Sequence, residues 1–309
     1  MAGKGWTVGR VAEVAGFARS SSLGRDERVS AHVLVGDGCP RPLAGAVREA
    51  LMPERPNADV VVCPLEGACP PSDVPDVAVA LVGPSSGATE LGAYARAGVP
   101  VAVVVEGALE APRVDLEEGP AALVHVIAAS TPDVLTDKLA DWLASATDKD
   151  LAFAACFPFC RRAVVDRLVG RCAVENAVVG AVPLIPGSDL PVMTAKQLKL
   201  ALDVAAAYGR PMEPARALEL ACVVAAGMGW RSLARALLAA LPGAGTLLRA
   251  GVAYAGTLAT GSALRLRLDP PELAGRRRAP SPSDAAAPVL LVSREAEDDG
   301  YVTVEGGLS

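Results

Sequence analysis

Gly83-Pro84-Ser85-Ser86-Gly87 matches G-x-S-x-G between a β-branched run and a helical one, the setting in which a strained turn exposes a nucleophilic serine. Ser85, Asp115 and His125 also follow the chain order Ser, Asp, His that such hydrolases use. His125, however, lies inside the apolar run Leu123 to Ile127, where a loop position is needed, and no H-G-G segment offers an oxyanion hole. A turn of small residues is the simpler reading, and a serine hydrolase built on Ser85 is a remote alternative. Cys156 and Cys160 are four residues apart, but Pro158 separates them and the chain holds only 2 histidines, which favours buried thiols over metal ligands. Neither a catalytic residue, nor a cofactor, nor a metal is expected on these grounds.

A second constellation sits after the first apolar run. His32 to Val35 opens onto Gly36-Asp37-Gly38-Cys39-Pro40-Arg41-Pro42-Leu43 and then a helical pattern, where a P-loop protein carries G-x-x-x-x-G-K-[ST]. Counted from Gly36, the second glycine becomes Arg41, the lysine Pro42 and the Mg²⁺-binding hydroxyl Leu43. A triphosphate would meet incomplete neutralisation there, and each proline removes a backbone donor. Nucleotide hydrolysis is therefore not expected from the degenerate loop Gly36, Gly38, Arg41, Pro42, Leu43.

The elements that position these residues read as a doubly wound α/β domain. Short β-branched runs, His32 to Val35, Ala58 to Cys63, Val77 to Val82, Val99 to Val105 and Leu123 to Ala128, alternate with helical patterns at Leu43 to Leu51, Ala88 to Ala97 and Pro132 to Ser145. Such alternation predicts a Rossmann-like or P-loop-GTPase-like parallel sheet. A leading helix is expected from Trp6 to about Ser21, within residues 1–29, and the α/β domain over 30–147. From Asp150 to Leu268 the pattern becomes Ala- and Leu-rich and helical, which predicts an all-α domain over 150–268. Residues 269–309 read as a linker and an acidic tail, with two short strands or a docking peptide at Val289 to Val292 and Tyr301 to Val304.

Composition narrows the function classes. With 29 Lys+Arg against 35 Asp+Glu over 309 residues, the chain lacks the positive excess of a nucleic-acid binder. Seven cysteines form no C-x-x-C pair and cannot all close internally, so a reducing cytoplasm is the simplest expectation. Met1 to Leu23 shows no apolar secretory core. The longest uncharged run, Ala250 to Leu264, is shorter than the roughly 20 residues of a simple spanning helix. Arg161-Arg162, Arg276-Arg277-Arg278 and Glu295 to Asp299 read as solvated charge, with the arginine cluster a minor candidate for an anionic membrane surface.

The helical half carries a proline-interrupted apolar segment, Asn176-Ala177 through Pro183, Pro186-Gly187, Asp189 and Pro191, followed by Gln197 and Tyr208-Gly209. Pro183 and Pro186 should end one helix, Gly187 allow the turn, and Asp189 cap a helix beginning at or after Pro191. Gly209 should cap that helix's other end in a left-handed conformation, before Pro211. Leu198, Ala201, Leu202 and Ala205 give it an apolar face suited to a partner helix or to lipid headgroups.

These residues, with a second block at Arg231, Ala234-Arg235, Pro242-Gly243, Gly245 and Ala253 to Thr257, resemble the bacterial GTPase-associated domain of unknown function 697, related to the YcjF inner-membrane proteins. The resemblance spans about residues 155 to 263. It implies a GTPase-like domain ahead of the helices, no assigned reaction, and membrane-associated apolar helices. The layout of residues 30 to 147 likewise resembles a translation-factor-type or Era-type GTPase, although Glu106-Gly107-Ala108-Leu109 stands where N-K-x-D is required. The reading that follows is a non-catalytic, pseudo-GTPase-like protein, cytoplasmic or peripheral at the inner face of the cell membrane. Its helical module would bind a protein partner or a membrane surface and not nucleic acid. A soluble scaffold or homo-oligomeric assembly subunit is the alternative.

Overall fold

The computed structural model describes residues 8–66, 74–83, 89–112, 116–181, 189–211 and 245–268. A leading helix α1 (Val8–Asp26) is followed by β1 (Val29–Val35), α2 (Arg41–Ala50), β2 (Ala58–Pro64), β3 (Val77–Leu81), α3 (Thr89–Arg96) and β4 (Val101–Val105). A 3₁₀ turn (Ala108–Glu110), α4 (Glu118–Ala121), β5 (Val124–Ala128) and α5 (Pro132–Ala146) complete the α/β part. Helices α6 (Asp150–Cys156), α7 (Arg161–Ala181), α8 (Asp189–Ala207) and α9 (Gly245–Leu268) follow, with a 3₁₀ turn (Pro158–Cys160) before α7.

The five strands form one parallel sheet in the order β2-β1-β3-β4-β5. This is a doubly wound order, which places the topological switch point between the carboxyl ends of β1 and β3. Every residue of β3 and β4 is buried, as expected of Val- and Ala-rich strands covered on both faces. Side chains alternate between two cores. Val33, Val79, Ala102, Val104 and Ile127 face one core; Leu34, Ala78, Ala80, Val101 and Val103 face the other, beneath Leu91 of α3.

The described residues from Asp150 to Leu268 are helical apart from the Pro158–Cys160 turn and the segment ends, but they have no separate core. The cluster that lines the sheet through Val33 and Val79 continues through Leu139 and Leu143 of α5 into Phe153, Val165, Leu202 and Leu264. All described residues belong to one compact unit, and the change near residue 147 is one of secondary-structure type within it.

Helix α8 lies at the centre of the helices, packed by α1, α6, α7 and α9. Leu198, Ala201, Leu202 and Ala205 are buried, and so are Leu200, Val204, Ala206 and Ala207. The apolar face read from the sequence as suited to a partner helix or to lipid headgroups is thus internal, covered by the chain's own helices. Scarce aromatics make that core one of Val, Leu and Ala, and small residues let the helices come close. Helices α7 and α9 form the most extensive helix pair, and a Cβ added to Gly261 of α9 would stand 2.4 Å from Cγ2 of Val169 on α7. No described helix is long and apolar enough to cross a membrane.

Candidate functional site

At the switch point, β1 passes into the loop Gly36 to Pro40. Gly36 N–H donates to Leu81 O at 2.8 Å, tying the loop's first residue to the end of β3, and Leu65 N–H donates to Val35 O at 2.8 Å from the β2 side. Gly38 has φ of 73°, and Cys39 N–H closes a turn back to Gly36 O at 3.3 Å. The loop's backbone lies directly on Gly83, just past β3. A Cβ there would stand 2.2 Å from Asp37 O and 2.7 Å from the Gly38 carbonyl carbon, so only glycine fits.

Helix α2 then begins without a phosphate cradle. Its first turn carries Pro42, and its N-cap is Pro40, without a side-chain cap; neither residue has an N–H to offer. The amides of Leu43 and Ala44 both turn to Pro40 O, at 3.0 and 3.1 Å. Leu43, at the position of the Mg²⁺-binding hydroxyl, is buried in the core at 2% exposure, while Arg41 and Pro42 are exposed. A helix N-terminus binds anions through amides aimed outward. Here Pro40 and Pro42 have none, and those of Leu43 and Ala44 are already engaged. The parallel topology also brings Asp37, Glu66 and Glu106 to the carboxyl ends of β1, β2 and β4, which adds negative charge where a triphosphate would need positive.

Ser85 and Asp115 lie outside the described residues. His125 is in the middle of β5, opposite Ala102 and level with Val79, four residues short of Gly83 and separated from β3 by β4. Four residues of strand span about 13 Å, so the imidazole is carried away from Gly83 beyond the end of β3. The other histidine, His32, is buried on β1 with Nδ1 2.8 Å from the Tyr94 hydroxyl of α3, and burial holds its pKa below the usual value. Among the described residues no group of three or more His, Cys, Asp or Glu side chains is placed to hold a metal ion.

The motif residues of the helical part serve packing where they are described. Asn176 is completely buried on α7, and its Nδ2 donates to Thr257 Oγ1 on α9 at 3.0 Å. Thr257 Oγ1 in turn donates to Ala253 O at 2.8 Å. Two sequence blocks 81 residues apart therefore meet in one interhelical contact. Asn176 Oδ1 is buried without a partner. Gln197 is buried on α8. Gly209, with φ of 67°, ends α8 as expected: its N–H donates to Ala206 O at 2.8 Å and that of Arg210 to Ala205 O at 3.1 Å, the paired bonds of a Schellman cap that follows Tyr208. Helix α8 begins at Asp189, two residues before the start expected at Pro191, and Pro191 falls in its first turn. Helix α7 ends at Ala181; Pro183, Pro186 and Gly187 lie outside the described residues.

Several polar groups have roles that periodicity did not reveal. Arg161, read from the sequence as solvated charge, is 7% exposed; its Nε donates to Ala154 O at 3.0 Å and an Nη to Glu54 Oε2 at 2.6 Å, so it closes the end of α6. Asp203 of α8 is 5% exposed, accepts from Ser21 Oγ of α1 at 2.6 Å and pairs with Lys199. Burial raises the pKa of nearby Asp150, and the negative charge of Asp203 adds to the effect.

The cysteines divide. Cys156 and Cys160 are buried free thiols, as expected, and burial pushes Cys160 up to about 12. Cys63, at the end of β2, is disulfide-bonded, which corrects the expectation of a fully reduced set. Sequence spacing gave no sign of this bond, because Cys63 belongs to no recognised paired-cysteine motif.

No family model, curated protein or solved structure matches the chain.

Proposed function

We propose that the chain is a non-catalytic, pseudo-GTPase-like protein whose helical part serves binding to a protein partner. The observation that carries this reading is the start of α2, where Pro40 and Pro42 remove amides, Leu43 is buried and the loop backbone lies on Gly83. Phosphoryl transfer depends on positioned cations and amides around the phosphates; here Pro42 stands at the lysine position and the Leu43 and Ala44 amides are engaged by Pro40 O. The proposed relation to the domain of unknown function 697 rests on Asn176, Gln197, Tyr208-Gly209 and the Ala253 to Thr257 block, and it favours binding over chemistry.

Attachment to a membrane surface is the competing version of the binding role. Burial of the α8 face removes one apolar surface that it would have used. Flotation with vesicles containing anionic lipid distinguishes the two, because a protein-binding module stays with the protein fraction at physiological salt. Phosphate release from GTP or ATP, measured on the purified chain with Mg²⁺, should not exceed the rate without protein; turnover that scales with protein and survives repurification would sink the non-catalytic reading. A second reading, an oligomeric assembly subunit, is favoured by the edge strand β5, which among the described residues pairs with β4 alone.

A further inference from the structure

Helix α1 is held to the rest of the chain differently from its neighbours. Among its described side chains Phe17 and Ala18 pack against the core, but the one that is fully buried is Ser21, at 1% exposure, while Leu23 is 65% exposed. By contrast, α6 buries Phe153, and α7 buries Val164, Val165 and Val169. Gly16, Gly24 and the run Ser20-Ser21-Ser22 also lower the intrinsic helix propensity of α1. Little apolar area and little propensity keep it in place.

What α1 covers is more apolar than α1 itself. It packs on α6 and α8, and Ser21 Oγ donates to Asp203 Oδ1 at 2.6 Å, so Asp203 marks the face of α8 turned toward α1. Leu200 and Ala207, three and four residues to either side, lie on that face, and all three are buried. On α6, Leu151 lies against Gly24, where an added Cβ would stand 3.3 Å from Leu151 Cδ1. The buried polar contact can be undone, because the other carboxylate oxygen of Asp203 is paired with Lys199 of its own helix and the charge keeps a partner when α1 leaves. The last residues of α1 are tied more firmly: Arg25 donates to Arg210 O and Arg55 to Asp26 Oδ1, each at 2.7 Å, beside the short link into β1. Opening therefore hinges at that end.

We propose that α1 is a displaceable strap over a groove between α6 and α8, and that a protein partner binds by laying an amphipathic helix of its own in place of α1. The proposal rests on the partner-binding reading above and names its surface. The strap itself shows what fits: an aromatic residue, a hydroxyl and a glycine at the spacing of Phe17, Ser21 and Gly24, along one helix face, with the hydroxyl meeting Asp203. Because α1 is tethered, it competes with the partner at high effective concentration. The groove stays closed until a partner helix is abundant or the strap is weakened.

Hydrogen exchange of the full chain, read by mass spectrometry, should find residues 17–25 exchanging at least about tenfold faster than the amides of α7, as an element that opens without global unfolding does. A fluorescent peptide of residues 8–26 probes the groove. F17A in the chain weakens the strap and should raise affinity for the peptide severalfold, whereas F17A in the peptide should lower it. A Cβ on Gly24 would lie 3.9 Å from Leu151 Cβ, within the range of about 3.5 to 4.5 Å that a disulfide spans, so oxidised G24C/L151C locks the strap. Locked, the chain should refuse the peptide and α1 should exchange as slowly as α7. Dithiothreitol should restore both behaviours to those of the parent chain reduced alike, in which the Cys63 bond is opened too. Strap amides as slow as those of α7 in the unlocked chain, or peptide uptake equal in the locked and reduced forms, would overturn the proposal. Flotation with vesicles would instead overturn the partner reading, and α1 exchange does not enter that result.

Discussion

Substituting Gly261 by alanine tests the packing of α7 against α9 with a single methyl group. The added Cβ would lie 2.4 and 2.5 Å from the two Cγ atoms of Val169 and 3.0 Å from its Cβ. Carbon atoms in ordinary contact sit about 3.5 to 4.0 Å apart, so the helices must separate by roughly 1 Å or Val169 must move. A β-branched side chain in a helix has one strongly preferred rotamer, and Val169 is buried, so the strain cannot be relieved cheaply. Overpacking of this kind costs about 1 to 3 kcal/mol, while replacing Gly by Ala inside a helix returns about 1 kcal/mol through propensity. G261A should therefore be destabilised by up to about 2 kcal/mol. In a V169A background the two Cγ clashes are gone and only the 3.0 Å approach to the remaining Cβ is left, so the same substitution should cost far less, or become stabilising by up to about 1 kcal/mol. Urea unfolding of the four proteins followed by circular dichroism measures the coupling. An equal effect of G261A in both backgrounds would refute the close contact.

T257V removes the Thr257 acceptor of the Asn176 amide and leaves it only Cys172 Sγ at 3.5 Å, which should cost about 1 to 3 kcal/mol in urea unfolding; adding N176L should recover part of that loss, because no buried donor is then stranded. Asp150 has a raised pKa in the folded state, so folding favours its protonated form. That contribution is complete below the unfolded carboxylate pKa and is lost as pH rises through the folded value, so D150N should gain stability over the parent at pH 7 and lose that advantage under acid, in a pH series of unfolding. Thiol titration of the unfolded, unreduced chain should find two fewer thiols than after reduction, because of the Cys63 bond. Cys160, buried and raised to about 12, should resist alkylation until the chain unfolds, and prompt labelling in the folded state would contradict its placement.

The sheet was legible because Val- and Ala-rich runs bounded by Gly and Pro have few other uses in a chain of this composition, and four of the five strands match to within two residues at either end. The first strand was read three residues short at its start: it begins at Val29, where Ser30 interrupts the apolar run. The proposal that the loop after β1 does not serve phosphate has a chemical basis in the sequence, since Arg41, Pro42 and Leu43 stand where G, K and [ST] are required. Gly209 was legible because a glycine before Pro211 at the end of an apolar helix has one common use.

What pairs across the chain was not legible. Ser21 and Asp203 are 182 residues apart, and Asn176 and Thr257 are 81 apart; neither spacing has a local period that could suggest contact. Arg161 looked solvated because its burial depends on the end of α6 and on Glu54, which sequence alone does not bring together. Periodicity left the α8 face open to a partner helix or to lipid headgroups; the helices that cover it are the chain's own, and Leu200, Val204 and Ala206 are buried beside it.

The central proposal is that the loop after β1 does not serve phosphate, and thermal unfolding with added nucleotide tests it most directly. A ligand at one hundred times its dissociation constant stabilises the folded state by about 2.7 kcal/mol, a shift that melting curves resolve readily. With millimolar GTP or ATP and Mg²⁺, the melting temperature should equal that in buffer of matched ionic strength. A saturable, Mg²⁺-dependent rise that inorganic phosphate does not reproduce would contradict the account.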